Sequence, residues 1–316
     1  MSDLTASLAR ALGEAREPVD AAPVDARRAA ANGPVLQLNR VPVPVDLDKF
    51  RDAFSAANPT GDYTAAYRFR ELSNVIPTFT RDFYPSLNYV EKVWRGIVFG
   101  ATGTSAFIQN LLSEAQVTIK ASEIPNQARG NPPWLSLDAS PSGWVDQIAH
   151  AQEITLELGA EGEASGYVLL GEAGRLVWTV GDGKAIPIEG RIGRLRLRML
   201  QVNLNRNWFD FAVLSSGAWY IAGEPAGHIS SGKRDDNPGL MPLLPTALLV
   251  GTDVNVEGDW SRKDKEIMDS HVALGIGPFP IVTHAAQAGR EAGALPQVHL
   301  IGYLSALVPY VPKAAK

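Results

Sequence analysis

Two glycine-containing stretches have residue types and spacing that could hold a nucleotide. The first, 96-GIVFGATGTSAFIQNLL, places Gly100, Gly103 and Ala106 at the spacing of a dinucleotide-binding turn. Such a turn needs a first strand before it, a helix after it and a ribose-binding acid roughly twenty residues further on. Here nearly one hundred residues precede it, and the next strand candidate, 117-VTIKAS, ends without an acid. The stretch therefore predicts two helices joined by a bend at Gly100 to Gly103, and no cofactor is expected.

The second stretch, 227-GHISSGKR, has the skeleton of a phosphate-binding loop. That loop requires a Ser or Thr after its Lys and a helix that follows directly. Arg234 takes the place of the Ser or Thr, and 235-DDNPG cannot open a helix, so nucleotide hydrolysis is disfavoured. Polar clusters in long loops are typical of binding surfaces, although a solvated hairpin loop is the alternative. The predicted binding residues of this loop are His228, Ser230, Lys233, Arg234, Asp235 and Asp236.

Metal and hydrolase chemistry lack a recognisable pattern. The five histidines, at positions 150, 228, 271, 284 and 299, form no i,i+4 pair and no H-x-H pair. Asp269 and His271 could share a strand face, but two ligands do not make a metal site. The chain has no cysteine and no G-x-S-x-G elbow, so no thiolate or serine nucleophile is identified.

Clustered aromatic residues form a further candidate site. Trp208 and Phe209 lie in 207-NWFDF, and Trp219 and Tyr220 follow closely. Such rings form a sugar or peptide platform when they are exposed, and core when two sheets cover them. Adjacent Trp208 and Phe209 would point to opposite faces of a strand, so Trp208 and Trp219 join the predicted binding residues.

The elements that must position these residues are mainly strands. In 153-EITLELG and 194-RLRLRM apolar residues alternate with charged ones, as in half-buried strands. If the two strands are neighbours, Glu153 and Glu157 compensate Arg194, Arg196 and Arg198 in a cross-strand charge ladder. An anion-binding stripe is the alternative. Further strands are predicted at 166-GYVLL, 175-RLVWTV, 218-AWYIAG, 246-TALLVG, 252-TDVNVEG, 278-PFPIVT and 298-VHLIGY.

Helical patterns are confined to the first part of the chain. Residues 2–16 place Leu4, Leu8 and Leu12 on one helical face, and an Ala- and Pro-rich tether follows. An isolated helix of about fifteen residues is marginal in water. This helix is therefore predicted to bind a protein partner or a second copy of the chain, or to pack on its own body. More helices are predicted between about residues 45 and 116.

Composition limits the classes of partner. The 316 residues carry a formal charge of −5 and no Lys/Arg run longer than two, so nucleic acid is not an expected partner. No signal peptide or transmembrane segment is recognised, which predicts cytoplasmic synthesis with export by a signal-less route left open.

Together these patterns predict an α+β protein with a small helical region followed by a mainly antiparallel, β-sandwich-like domain. The expected regions are 1–45 (helix plus tether), 46–125 (helical) and 126–316 (β-rich). The expected function is a non-catalytic binding or assembly protein, for which an accessory component of a larger particle or toxin system would fit. The alternative is an enzyme with a loop-built site around residues 228–236 and 269–271.

Overall fold

The computed structural model describes residues 3–14, 33–50, 54, 58–79, 89–123, 133, 135–137, 140–158, 168–170, 176–181, 184–234, 236–252, 254–271, 273–281 and 297–313. These residues form an α+β fold in which antiparallel pairing dominates, as predicted. The helices are α1 (Asp3–Glu14), α2 (Tyr63–Ser73), α3 (Val90–Gly100), α4 (Ala106–Ala121), α5 (Trp144–His150), α6 (Phe211–Ser216) and α7 (Arg262–Ser270). Short 3-10 turns lie at Leu47–Phe50 and Pro141–Gly143.

The strands are distributed over three sheets. They are β1 (Val35–Val45), β2 (Ala101–Gly103), β3 (Ser136–Leu137), β4 (Glu153–Glu157), β5 (Val168–Leu170), β6 (Val177–Val180), β7 (Lys184–Pro187), β8 (Arg191–Asn205), β9 (Trp219–Ile221), β10 (Leu243–Gly251), β11 (Asn255–Asp259), β12 (Leu274–Ile276), β13 (Phe279–Ile281) and β14 (Val298–Leu307). The largest sheet has the order β11-β8-β10-β14-β1-β5, with β3 and β4 also paired to β8. Smaller sheets have the orders β13-β12-β6-β7 and β2-β9. Where the structure describes the register, β1 pairs with β5 in parallel, and the pairs of β8 with β3, β4 and β11, of β12 with β6 and β13, of β6 with β7 and of β2 with β9 are antiparallel.

The chain forms two compact units, each assembled from three segments. Unit 1 comprises Met1–Leu47, Ala139–Val202 and Ala247–Leu304; unit 2 comprises Asp48–Asp138, Asn203–Thr246 and Ser305–Lys316. Both units are therefore discontinuous in sequence, whereas the three regions expected from the sequence are consecutive.

The core of unit 1 includes the N-terminal helix. Leu4, Leu8 and Leu12 are buried in the same cluster as Trp178, Leu195 and other strand residues. The Ser7 hydroxyl donates to the Glu157 carbonyl at 2.8 Å, which fixes α1 against β4. The apolar face of α1 thus packs on its own chain, which is one of the alternatives predicted for it, and binding of a partner through this helix stays a prediction. Burial in this core removes the three leucines from water, which favours packing of the helix on its own chain.

The core of unit 2 is built mainly from helices α3 and α4. Trp94, Ile97 and Val98 of α3 are buried together with Leu112 and Ile119 of α4. The predicted strand at 117-VTIKAS is wrong, because residues 117–121 form the last turns of α4. The β-branched run suggests a strand, but Ala115 and Ile119 continue the buried helical stripe begun by Ile108 and Leu112. The predicted bend between the two helices contains the short strand β2, which pairs with β9.

The predicted charge ladder is present in unit 1, with one additional strand. Antiparallel pairing places Glu157 opposite Arg194 and Glu153 opposite Arg198. Arg194 Nε lies 2.6 Å from Glu157 Oε1, and Arg196 Nη2 lies 2.6 Å from Glu257 Oε1 on β11, the other neighbour of β8. Arg198 instead donates to the Ala149 carbonyl. The row of arginines is therefore compensated within the sheet.

Candidate functional site

The loop that carries most of the predicted binding residues lies in unit 2 between two extended segments. Ile229 N donates to the Val311 carbonyl at 3.1 Å, and Val311 N donates to the Ser230 carbonyl at 3.0 Å. On the other side, Met241 N donates to the Ile229 carbonyl at 2.8 Å. The two ends of this loop thus hydrogen-bond to each other, and its first end also hydrogen-bonds to Val311.

Ser230 and Asn237 fix the conformation of this loop from inside. The Ser230 hydroxyl donates to the Val308 carbonyl at 2.6 Å and accepts from Asn237 Nδ2 at 2.9 Å and from Gly232 N at 3.1 Å. Asn237 Oδ1 accepts from Ser231 N at 2.8 Å. Both side chains are buried, and buried polar groups that are fully bonded rigidify the backbone around them. The Ser230 side chain therefore holds the loop in its conformation, while a role in ligand binding stays a prediction.

Tyr310 lies against the loop because two glycines make room for it. A Cβ on Gly227 would stand 2.6 Å from Cε2 of the Tyr310 ring, and one on Gly232 would stand 2.7 Å from the Tyr310 amide nitrogen. Both glycines also have positive φ, 76° and 66°, which side chains disfavour. The Tyr310 side chain remains 45% exposed. The fold thus presents an aromatic ring in a fixed position at the surface.

Charged and apolar side chains stand near Gly227 and Gly232 along the same part of the chain. His228 Nδ1 lies 3.3 Å from Glu224 Oε2, while Lys233 and Asp236 are exposed and Leu240 is 39% exposed. The Leu240 amide donates to the His228 carbonyl at 3.1 Å, which places Leu240 beside the same strand. We call this surface the Tyr310 face; it comprises Glu224, His228, Lys233, Asp236, Leu240 and Tyr310.

The other predicted binding residues lie elsewhere. Trp208 and Trp219 are buried in the core of unit 2, so neither ring can form an exposed platform, and this prediction is corrected. Their polar groups are used internally, since the Trp219 indole donates to the Val213 carbonyl at 2.8 Å and the Trp208 carbonyl accepts from Trp94 Nε1 at 3.0 Å. Arg234 is half-buried in the loop, and Asp235 lies outside the described residues.

The second predicted segment, 269–271, belongs to unit 1 and not to the unit that holds the Tyr310 face. His271 follows the end of α7, where its Nδ1 lies 3.0 Å from the Ile267 carbonyl and 2.9 Å from Ser270 Oγ. Asp269 is exposed on the last turn of the helix. Among the residues that the structure describes, no group of three or more His, Asp or Glu side chains could hold a metal ion.

A buried polar cluster in unit 2 surrounds Glu91, in the first turn of α3. Arg70 Nε lies 2.9 Å from Glu91 Oε1, and the Arg206 guanidinium donates to Asn74 Oδ1 at 3.0 Å and to the Ser73 carbonyl at 2.7 Å. Burial raises the pKa of Glu91 to about 6 against the attraction of both arginines. Burial also lowers the pKa of Arg206 to about 10, although Glu91 opposes that shift.

Asp264, in the first turn of α7, is the corresponding buried acid of unit 1. Its Oδ1 accepts from the Trp178 indole at 2.9 Å and from Glu189 N at 3.2 Å. Its Oδ2 accepts from Gly190 N at 2.7 Å and from Ser261 N at 3.2 Å, completing a capping box. Burial alone would raise the pKa of Asp264, but these hydrogen bonds outweigh it and lower the pKa to about 2.

Sequence reasoning located the loop but missed Tyr310, Leu240 and Asn237. The usable signal was the glycine pair: Gly227 and Gly232 flank His228 and Ser230, and the absence of a Cβ at each leaves room for Tyr310. No local pattern links position 310 to the loop, because the contact is made across about 80 residues.

Comparison with known proteins adds no assignment: no protein-family model, curated protein or solved structure matches this chain. In the part of the chain that the structure describes, no helix is long and apolar enough to cross a membrane.

Proposed function

We propose that this chain is a non-catalytic binding or assembly protein and that the Tyr310 face is its contact surface. The observation that carries the proposal is Tyr310, whose ring lies against Gly227 and whose backbone lies against Gly232 while 45% of the residue stays exposed. Tyrosine is enriched at interface hot spots because it offers a large, amphipathic surface that loses little entropy on binding. Two glycines with positive φ are a costly way to build a surface that contacts nothing.

The partner that fits this face best is a second copy of the chain. Interfaces have an apolar or aromatic centre with a polar rim, and Tyr310 and Leu240 supply such a centre. The rim carries both signs of charge, because Lys233 is positive and Glu224 and Asp236 are negative. A two-fold contact brings a patch against itself and is favourable only when the patch is self-complementary in this way.

The test is the solution mass of the purified chain by light scattering over a range of concentrations. We expect a dimer. We expect Tyr310→Ala to raise the dissociation constant of that dimer by roughly 30-fold, which is the effect of losing a hot-spot residue. The matched control is Phe107→Ala on α4, because Phe107 is 69% exposed but does not belong to the Tyr310 face. A monomeric wild type, or a dimer equally weakened by both variants, would contradict the proposal.

A charge exchange tests the two-fold geometry separately. Lys233→Glu and Asp236→Lys should each weaken the dimer, because each places like charges across the contact. The double variant restores a loop with both signs and should recover most of the affinity. If the double variant is weaker than either single one, these two residues do not face each other across a two-fold axis.

The enzyme alternative would require a nucleophile and a base at residues 228–236. The Ser230 hydroxyl is buried and donates to a backbone carbonyl, and His228 contacts Glu224 instead of a hydroxyl. These contacts support the binding function over hydrolysis at this loop.

A further inference from the structure

An open depression in unit 1 has the composition of a small-molecule site. It has a volume of about 540 Å³ and is lined by Gly190, Gly258, Asp259, Trp260, Ser261 and Lys265. Binding sites for small molecules typically fall between about 300 and 1,000 Å³ and combine one apolar or aromatic wall with a few polar groups. This depression has that combination, and it is independent of the Tyr310 face of unit 2.

Trp260 forms the aromatic wall and is held from behind. Its ring packs on the buried Trp178 with centroids 5.3 Å apart. Added Cβ atoms would stand 3.1 Å from Trp260 Cζ2 at Gly258 and 3.1 Å from Trp260 Cα at Gly190, so both positions must be small. Trp260 itself is only half-buried, so part of its indole borders the open depression.

The support behind this wall is rigid. Trp178 donates its indole N–H to Asp264, which also binds the amides of Gly190 and Ser261, two residues of the lining. The buried carboxylate thus ties together the two chain segments that line the depression, at Gly190 and at Ser261, and the Trp178 ring behind them. A ligand would meet a preformed surface, and preformed sites lose less free energy to ordering on binding.

The polar groups of the depression indicate a neutral ligand. Exposed Asp259 and Lys265 offer one acceptor and one donor of opposite charge, and Asp264 adds a negative charge close behind. The neighbouring Lys263 is engaged by Glu189, 2.7 Å away. A phosphate or nucleotide would therefore meet one cation and two carboxylates, whereas hydroxyl groups can use both the donor and the acceptor.

We propose that this depression binds a neutral sugar ring, with the C–H face of the sugar stacked on Trp260 and its hydroxyls bonded to Asp259 and Lys265. A pyranose has an apolar face and a polar rim, which matches an aromatic wall flanked by a carboxylate and an ammonium group. Because the depression is open, the dissociation constant is expected to be in the range of about 0.1–10 mM.

The test is titration of the full chain, by saturation-transfer NMR and calorimetry, with glucose, galactose, mannose, N-acetylglucosamine, maltose, cellobiose and lactose up to about 20 mM. We expect at least one of these sugars to bind. Lys265→Met and Asp259→Asn should each weaken that binding about five- to tenfold, the effect of losing one solvent-exposed hydrogen bond. The matched control is Lys263→Met, which removes a lysine of the same helix that does not line the depression and should leave binding unchanged.

Two further variants address the stacking. Trp260→Ala should abolish binding, and Trp260→Phe should retain part of it; because Trp260 also packs on Trp178, thermal melting must show that both variants are folded. Failure of every sugar to bind the wild type overturns the proposal. So does binding that Lys265→Met, Asp259→Asn and Lys263→Met affect equally, or binding of glucose 6-phosphate in preference to glucose.

Discussion

Asp264 of unit 1 and Glu91 of unit 2 occupy similar places in their helices, yet their pKa values are shifted in opposite directions. Each acid lies in the first turn of a helix and each is nearly or fully buried. The pKa of Asp264 is lowered to about 2, whereas that of Glu91 is raised to about 6. Helix position and burial are shared, so the difference arises from what surrounds each carboxylate.

Asp264 is surrounded by N–H donors, and Glu91 is surrounded by arginines. Three of the donors to Asp264 are backbone amides that the loop already holds in place, so no second charge is desolvated. Glu91 has its ion pair with Arg70, but its Oε2 has no hydrogen-bond partner among the residues that the structure describes. The arginines must themselves be desolvated, as the lowered pKa of Arg206 shows. Buried ion pairs therefore stabilise less than fixed donors do.

Replacing Asp264 should give the largest effect. Asp264→Asn keeps the shape but replaces an acceptor oxygen with an NH₂ group that faces backbone donors, so two of the four hydrogen bonds are lost. We expect a loss of roughly 2–4 kcal/mol in the free energy of unfolding, measured by urea denaturation at neutral pH. Asp259→Asn, which changes an exposed acid at the end of β11, is the control and should change stability by less than about 0.5 kcal/mol. A loss below that of the control would mean that the hydrogen bonds do not stabilise the fold.

Replacing the carboxylate of Glu91 by an amide should change the free energy of unfolding in the opposite direction. Glu91→Gln resembles the protonated acid, which the fold favours because burial raises the pKa of Glu91 to about 6 from 4.5. We expect a gain of about 1–2 kcal/mol in the free energy of unfolding near pH 8, again by urea denaturation. A loss of about 3–5 kcal/mol would instead show that the ion pair is net stabilising and that the comparison with Asp264 fails.

The pH dependence of the gain in stability shows whether it arises from the ionisation of Glu91 or from a change in packing. Because the folded pKa of Glu91 is raised, its stabilising contribution is complete below 4.5 and is lost as pH rises through about 6. The difference between Glu91→Gln and the wild type should therefore shrink to nearly zero below about pH 4.5. Asp264 does not interfere in this range, because its lowered pKa makes its contribution present above 3.8 and lost only as pH falls through about 2. A difference that is constant from acid to neutral pH would assign the effect to packing.

Local periodicity predicted the strands well and the helix ends poorly. The alternation in 153-EITLELG and 194-RLRLRM predicted both strands and a charge ladder between them, and the structure adds the register that places Glu157 opposite Arg194. The β-branched residues after Gln116 were wrongly assigned to a strand, since their packing inside α4 depends on α3, which no local window contains.

The buried acids and the candidate sites were beyond prediction from the sequence. Asp264 follows Ser261 at capping-box spacing, a pattern that is readable, but its bond to Trp178 is made across 86 residues. Glu91 gives no local sign of burial, because Arg70 and Arg206 reach it from α2 and from beyond β8. The Tyr310 face likewise joins residues that only the folded chain brings together.

Glu257 is an exposed acid, and its replacement should give the smallest change in the free energy of unfolding. Glu257 lies 2.6 Å from Arg196 and 3.7 Å from Arg194, with 47% of its side chain exposed. Solvent screens such pairs, so Glu257→Gln should lower the free energy of unfolding by no more than about 0.5 kcal/mol, and the loss should vanish in about 1 M NaCl. Glu266→Gln, which removes the exposed partner of Arg262 on α7, is the matched control. A loss at Glu257 as large as that expected at Asp264 would mean that the charge ladder, and not the buried hydrogen bonds, is the main electrostatic support of unit 1.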